Sequence, residues 1–142
     1  VPDHYRIFSG RSFSTTYDRT ISGPVWEPLV SLSRLARQRP ELPHLHVDEF
    51  MYMAGLRNRG KRIRIHLYKH IGTRRYINLD DAGHAYAFQV REPDWEKPDS
   101  SGWYRMYHDP LLAIRALGLW EFQRPRLQVV PPVEDRQWLD DE

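Results

Sequence analysis

The chain has 142 residues, with 21 lysines and arginines against 19 aspartates and glutamates, and its 40% hydrophobic and 28% charged content is that of one soluble globular domain. It contains no cysteine, which excludes disulfides, thiolate metal sites and a thiol nucleophile. No apolar run approaches the roughly 18 residues of a membrane span, and no basic-then-apolar leader opens the chain, so a cytoplasmic protein with no membrane contact is expected.

In chain order, His4 to Gly10 reads as a strand, Ser9 to Ser12 as a turn, and Phe13 to Tyr17 as a strand pairing back. Trp26 to Gln38 reads as a helix, with Pro28 in its first turn and Leu29, Leu32, Leu35 and Ala36 at helical spacing. Arg39 and Pro40 end it, and a Pro-containing connector follows. Asp48 is placed to cap a short helix running to Ala54, closed by Gly55. Lys61 to His70 alternates as a strand, with Ile63, Ile65 and Leu67 on one side. Gly72 turns the chain into a second strand, Arg74 to Leu79, whose Ile77 and Leu79 are expected on that same apolar side. Asp80 to Gly83 is a turn suited to positive φ at Gly83. His84 to Val90 and Trp103 to Tyr107 read as further strands. Asp109 and Pro110 open a helix striped by Leu111, Ile114 and Leu117 and ended by Gly118. Leu127 to Val130 reads as a last short strand.

These elements predict an α+β fold: an antiparallel β-meander of about four to six strands with two or three helices packed on one face. Residues 1–130 form the single domain and residues 131–142 an acidic tail.

The charge is unevenly distributed. Leu56 to Leu79 holds eight cations and no carboxylate: Arg57, Arg59, Lys61, Arg62, Arg64, Lys69, Arg74 and Arg75. His66, Tyr68, His70 and Tyr76 interleave with them. Glu92, Asp94, Glu96 and Asp99 cluster in a later loop, and five more carboxylates end the chain. Segregation of this kind bears on partners rather than on fold. Strand alternation in the basic stretch is expected to display Arg62, Arg64, His66, Tyr68, Arg74, Tyr76 and Asn78 together. Cations that neutralise phosphates beside rings that stack on unpaired bases are the means of holding single-stranded nucleic acid. The bland alternative is a solvated sheet face, although such a face ordinarily mixes both signs of charge.

Two catalytic readings are weighed beside this. In a metal-free ribonuclease, His66 or His70 would move the proton while Arg64 and Arg74 held the phosphate. In a metal-dependent hydrolase, His44, His46 and Asp48 would bind the ion. The latter three stand in a His-x-His-x-Asp run that resembles the metal-binding stretch of the metallo-β-lactamase superfamily over five residues. That family's pattern continues with a further histidine, where this chain has Glu49.

The expectation is therefore a nucleic-acid-binding module for RNA or single-stranded DNA, without a cofactor. Its contact residues would be Arg57, Arg59, Lys61, Arg62, Arg64, His66, Tyr68, Lys69, Arg74 and Tyr76. Two alternatives stay open. One is a protein-interaction or accessory subunit that anchors a partner through Trp120, Phe122 and Trp138. The other is a nuclease or related hydrolase.

Overall fold

The computed structural model describes residues 7–13, 23–58, 62–90 and 102–120. Arg59, Lys61, the acidic loop at 92–99, Phe122, the expected strand at 127–130, Trp138 and the acidic tail lie outside these residues.

Six strands form one antiparallel sheet: β1 (Phe8–Phe13), β2 (Phe50–Asn58), β3 (Ile63–His70), β4 (Tyr76–Asp80), β5 (Ala85–Val90) and β6 (Gly102–Tyr107). Their order across the sheet is β1-β6-β5-β4-β3-β2. Strands β2 to β6 are thus a meander, and β1 closes the far edge. Helix α1 (Glu27–Arg37) and the single turn α2 (Leu112–Arg115) complete the α+β fold. No described helix is long and apolar enough to cross a membrane.

The two faces of the sheet bury different sets. On one, Leu29, Leu32 and Ala36 of α1 and Ala113, Ile114 and Leu117 around α2 pack on Tyr68, Ile77, Leu79 and Ala85. On the other, Leu56, Ile65, Tyr86 and Tyr104 form a smaller cluster flanked by Ala54, Ile63, Leu67 and Met106. Helix α1 forms where expected, with Pro28 in its first turn and Glu27 and Arg37 suiting its dipole. Its stripe is narrower than the spacing predicts, for Leu35 is 53% exposed.

Three local expectations are corrected. Ser9 to Ser12 is no turn: β1 runs straight through it and pairs with β6, and the glycine (φ +95°) lies in an irregularity between Phe8 and Ser12. Turn-forming residues inside a strand here serve a bulge. The helix expected after Asp48 is one 3-10 turn, Val47–Glu49, followed by the nine-residue strand β2. A short isolated helix has little to stabilise it, whereas β2 finds a full-length partner in β3, from Phe50 opposite His70 to Asn58 opposite Ile63.

The third correction governs the surface. In the β3–β4 hairpin Tyr68 stands opposite Ile77 and His66 opposite Leu79. Ile77 and Leu79 therefore share a face with His66 and Tyr68, not with Ile65 and Leu67. The strand period of two makes a one-residue difference in register exchange the faces. The set expected to be displayed together is consequently split between the two faces, and His66, Tyr68 and Asn78 are buried.

The packing predicts a sharp contrast along α1. Leu29→Ala should lower the unfolding free energy by about 2–5 kcal/mol, and Leu35→Ala by about 0.5 kcal/mol or less. Chemical denaturation of both variants checks this, and comparable losses would contradict the placement of the helix.

Candidate nucleic-acid interface

The residues expected to carry chemistry divide into a buried set and an exposed set. His66 has no exposed surface. Its Nε2 lies 2.7 Å from Asp81 Oδ1 and its Nδ1 lies 2.7 Å from the Tyr52 hydroxyl. A carboxylate only accepts, so Nε2–H donates to Asp81, and in the neutral imidazole Nδ1 then accepts from Tyr52. Arg64 Nε donates to the other oxygen of Asp81 at 2.6 Å. This Tyr52–His66–Asp81–Arg64 chain ties β2, β3 and the β4–β5 turn together.

His70 is equally buried. Its Nε2 lies 3.0 Å from Glu49 Oε1, and its Nδ1 accepts the Thr73 N–H at 3.0 Å. It fastens the β3–β4 turn to the 3-10 turn, where the Ile71 N–H also donates to the Glu49 carbonyl. Tyr68 is enclosed beneath α1 with its hydroxyl donating to the Val25 carbonyl at 2.6 Å, and its ring tilts against Trp26. Burial drives the Tyr68 phenol well above its ordinary pKa. The expectation that His66 and Tyr68 stand on a displayed face is thereby corrected: the register turns both, with His70, towards the helical core.

The residues of the metal-binding expectation lie on the segment that leads into β2. His44, His46 and Asp48 are exposed while Leu45 between the histidines is buried, and the two imidazoles stack with centroids 5.8 Å apart. Among the described residues no group of three histidine or carboxylate side chains is arranged to hold a metal ion.

The exposed set lies at the turn end of the β3–β4 hairpin, next to the buried His70. Arg74, Arg75 and Tyr76 are exposed, and the Lys69 ammonium sits 5.8 Å from the centroid of the Tyr76 ring. Arg57 and Arg62 are exposed at the opposite end of β3. Arg57 stands across from Arg64, a like-charge pairing that Asp81 offsets from the neighbouring turn. Two non-glycine residues among those described have positive φ, Arg62 at +56° and Arg74 at +65°, and both belong to the basic stretch. Trp120 is 45% exposed at the end of the last described segment.

Beside Tyr76 the sheet opens. Among the described residues only Asn78↔Tyr86 and Leu79↔Ala85 pair β4 with β5. Where the two strands are no longer paired, a cleft of about 550 Å³ forms. Tyr76, Phe88 and Tyr104 contribute rings to its lining, Met53, Leu56 and Leu67 contribute aliphatic surface, and Arg75 contributes a charge. Phe88 is 37% exposed and packs against Tyr104 at 5.0 Å. Gly102 makes this position possible, since a β-carbon there would collide with the Phe88 ring and the Gln89 carbonyl. Asn78 lines the cleft too. Its Nδ2 donates to the Tyr86 carbonyl at 3.1 Å, which fixes the amide's orientation. Its Oδ1 is the buried side-chain atom that, among the described residues, has no hydrogen-bond partner. Leaving such an acceptor unmet costs about 1–3 kcal/mol.

Sequence reasoning missed Tyr52, Asp81, Phe88 and the acceptor role of Asn78. Asp81 was the most accessible of these, because a second carboxylate in a turn beside an arginine-rich strand is a ready ion-pair partner. Asp80 is the turn residue proper. Its Oδ1 accepts the Ala82 and His84 N–H groups, its Oδ2 accepts the Tyr86 hydroxyl at 2.8 Å, and Gly83 takes φ +92° as expected.

No protein-family model matches the chain, no curated protein matches it, and no solved structure matches it. The site has to be understood from its own residues.

Burial pushes the Asp81 carboxyl up, but hydrogen bonds from Arg64 and His66 outweigh it, so its pKa lies below the ordinary value of 3.8. A lowered folded-state pKa stabilises the fold fully above the unfolded value, and that stability is lost as pH falls through the folded one. Asp81 is partly exposed, so solvent screening holds its share to about 1 kcal/mol or less. Acid titration of unfolding should therefore show a loss below about pH 4 that Asp81→Asn diminishes. An unchanged acid limb in the variant would contradict the role assigned to this carboxylate.

Proposed function

We propose that the chain is a binding module for single-stranded nucleic acid, RNA or DNA, and that its contact surface is the Lys69–Arg74–Arg75–Tyr76 end of the β3–β4 hairpin. The observation that carries this reading is Tyr76, a ring 42% exposed with a lysine ammonium over it at 5.8 Å from the centroid and two exposed arginines immediately before it. Between Leu67 and Leu79 the sequence has no carboxylate to neutralise these cations. Rings on which bases stack, set among cations that follow a phosphate chain, are what single-strand binding requires.

Backbone strain supports the same surface. A non-glycine residue in the left-handed region costs about 1–3 kcal/mol. Glycine would occupy the Arg74 position without that cost, yet the position carries a cation at the tip of the hairpin. The strain at Arg74 is accounted for if its charge is used.

The reading is one of binding without catalysis. His66 and His70 have no exposed surface, and Arg64 is engaged by Asp81. Arg57 and Arg62 are far along β3 from Tyr76 and would extend the contact of a longer strand.

Affinity for a labelled oligonucleotide should fall steeply with salt, with a slope of about 0.7 for each phosphate neutralised on a single strand. Replacing both Arg74 and Arg75 by alanine should reduce the slope by about 1.4. Tyr76→Ala should weaken binding by about 1–3 kcal/mol at constant slope. Fluorescence anisotropy across a salt series measures both effects; absence of binding at low salt, or an unaltered slope in the double variant, overturns the proposal.

A separate measurement tests the strain argument. Arg74→Gly should fold at least as stably as the parent chain, by up to about 1 kcal/mol more, while binding the oligonucleotide more weakly. Thermal unfolding and anisotropy on the same preparation report the two quantities, and a less stable or equally tight-binding variant would remove this support.

A further inference from the structure

We infer that the cleft between β4 and β5 is a base pocket, which takes one unpaired nucleobase and reads an N–H group on its edge through Asn78 Oδ1. This rests on the nucleic-acid reading above and adds to it where a base goes and what is recognised.

Three features of the cleft agree on this occupant. First, its size and lining suit an aromatic ring. The cleft opens where β4 and β5 cease to pair, and its volume of about 550 Å³ lies within the range of sites for molecules of nucleotide size. Tyr76 and Phe88 come from the two separated strands, one on each, and both are exposed at its rim.

Second, one lining residue carries a specific polar demand. Asn78 is 3% exposed, and its Nδ2 is committed to the Tyr86 carbonyl. That bond leaves Oδ1 as a fixed acceptor with no partner among the described residues. The nearby Tyr86 hydroxyl does not supply one, because it donates to Asp80. A purely apolar occupant would leave Oδ1 unmet, whereas a base edge bearing an N–H satisfies it.

Third, the charge at the cleft is positive. Arg75 lines it, and its guanidinium rests against Gly118 so closely that a β-carbon at that glycine would displace it. Gly118 itself has φ +69° at the end of the α2 segment. A guanidinium held in this way beside the cleft, with Arg74 next to it in sequence, complements the phosphate attached to a bound base. A ring, an N–H edge and a phosphate together define a nucleotide unit, either within a strand or free.

The test uses two strands that stack alike and differ in one donor. One is an octamer of adenylates. The other replaces each adenine by purine lacking the 6-amino group, which has no N–H on its base edge. The full chain should bind the adenylate strand about tenfold more tightly, the effect of one well-placed hydrogen bond to a buried acceptor. Asn78→Leu should bring the ratio to about 1 and leave the salt slope unchanged. Ala87→Phe, which fills the cleft without altering a polar group, should do the same and serves if the first variant does not fold. In the parent chain the side-chain amide resonances of Asn78 should shift when the adenylate strand is added.

Equal affinity of the parent chain for the two strands, with a normal salt slope, overturns the base pocket while the nucleic-acid reading stands. Retention of the tenfold ratio in a folded Asn78→Leu or Ala87→Phe variant overturns it likewise. Failure to bind either strand at low salt overturns the nucleic-acid reading. If adenosine monophosphate then still shifts the Asn78 amide, the pocket is retained and belongs to a free nucleotide.

Discussion

Between His70 and Tyr76 the chain reverses through a turn closed by the His70 N–H on the Arg75 carbonyl and the Arg74 N–H on the His70 carbonyl, each at 2.8 Å. The reversal sets Tyr68 opposite Ile77. That register assigns a face to every residue of two strands. It gathers Tyr68, Ile77 and Leu79 beneath α1, and it leaves Lys69, Tyr76 and Asn78 on the face away from the helix. The cost is local, an arginine held at positive φ, and the core secured by it extends across the sheet. His70 reinforces the turn from inside by holding both Thr73 and Glu49.

From this pairing the placement of the charged and aromatic side chains follows. Histidines that read as proton carriers instead act as buried joints: His66 links Tyr52 to Asp81, and His70 links two turns. The tyrosine that read as a stacking platform, Tyr68, is a core residue, while Tyr76, eight positions later, is on the surface. Cations follow the same division. Arg64 is bound to Asp81, whereas Arg74 and Arg75 remain exposed at the hairpin end. The loss of pairing between β4 and β5 beyond Asn78 and Tyr86 then brings a cleft to the exposed cations and rings.

Much of the architecture was legible because it rests on local periodicity. The alternation of Ile63, Ile65 and Leu67 marks β3, Pro28 with Leu29 and Leu32 marks α1, and the Asp80 to Gly83 turn carries its own side-chain hydrogen bonds. Strand β2 was not legible, because Phe50 to Leu56 has no clear alternation and becomes a strand through β3. The candidate surface was legible in composition but not in place. Alternation groups side chains within one strand, and it carries no information about which face of the next strand aligns with them.

By itself the sequence determined the α+β class, the antiparallel meander, the absence of cysteine chemistry and the concentration of positive charge between Leu56 and Leu79. These follow from residue type and short-range spacing. Tertiary structure alone decided that His66, Tyr68 and His70 belong to the core, that Tyr76 and its neighbouring cations are exposed, and that Asn78 lines a cleft with an acceptor unmet among the described residues. The reason is that strand register and strand separation arise from contacts distant in sequence. A shift of one residue in pairing, invisible to composition, exchanges the two faces of a sheet.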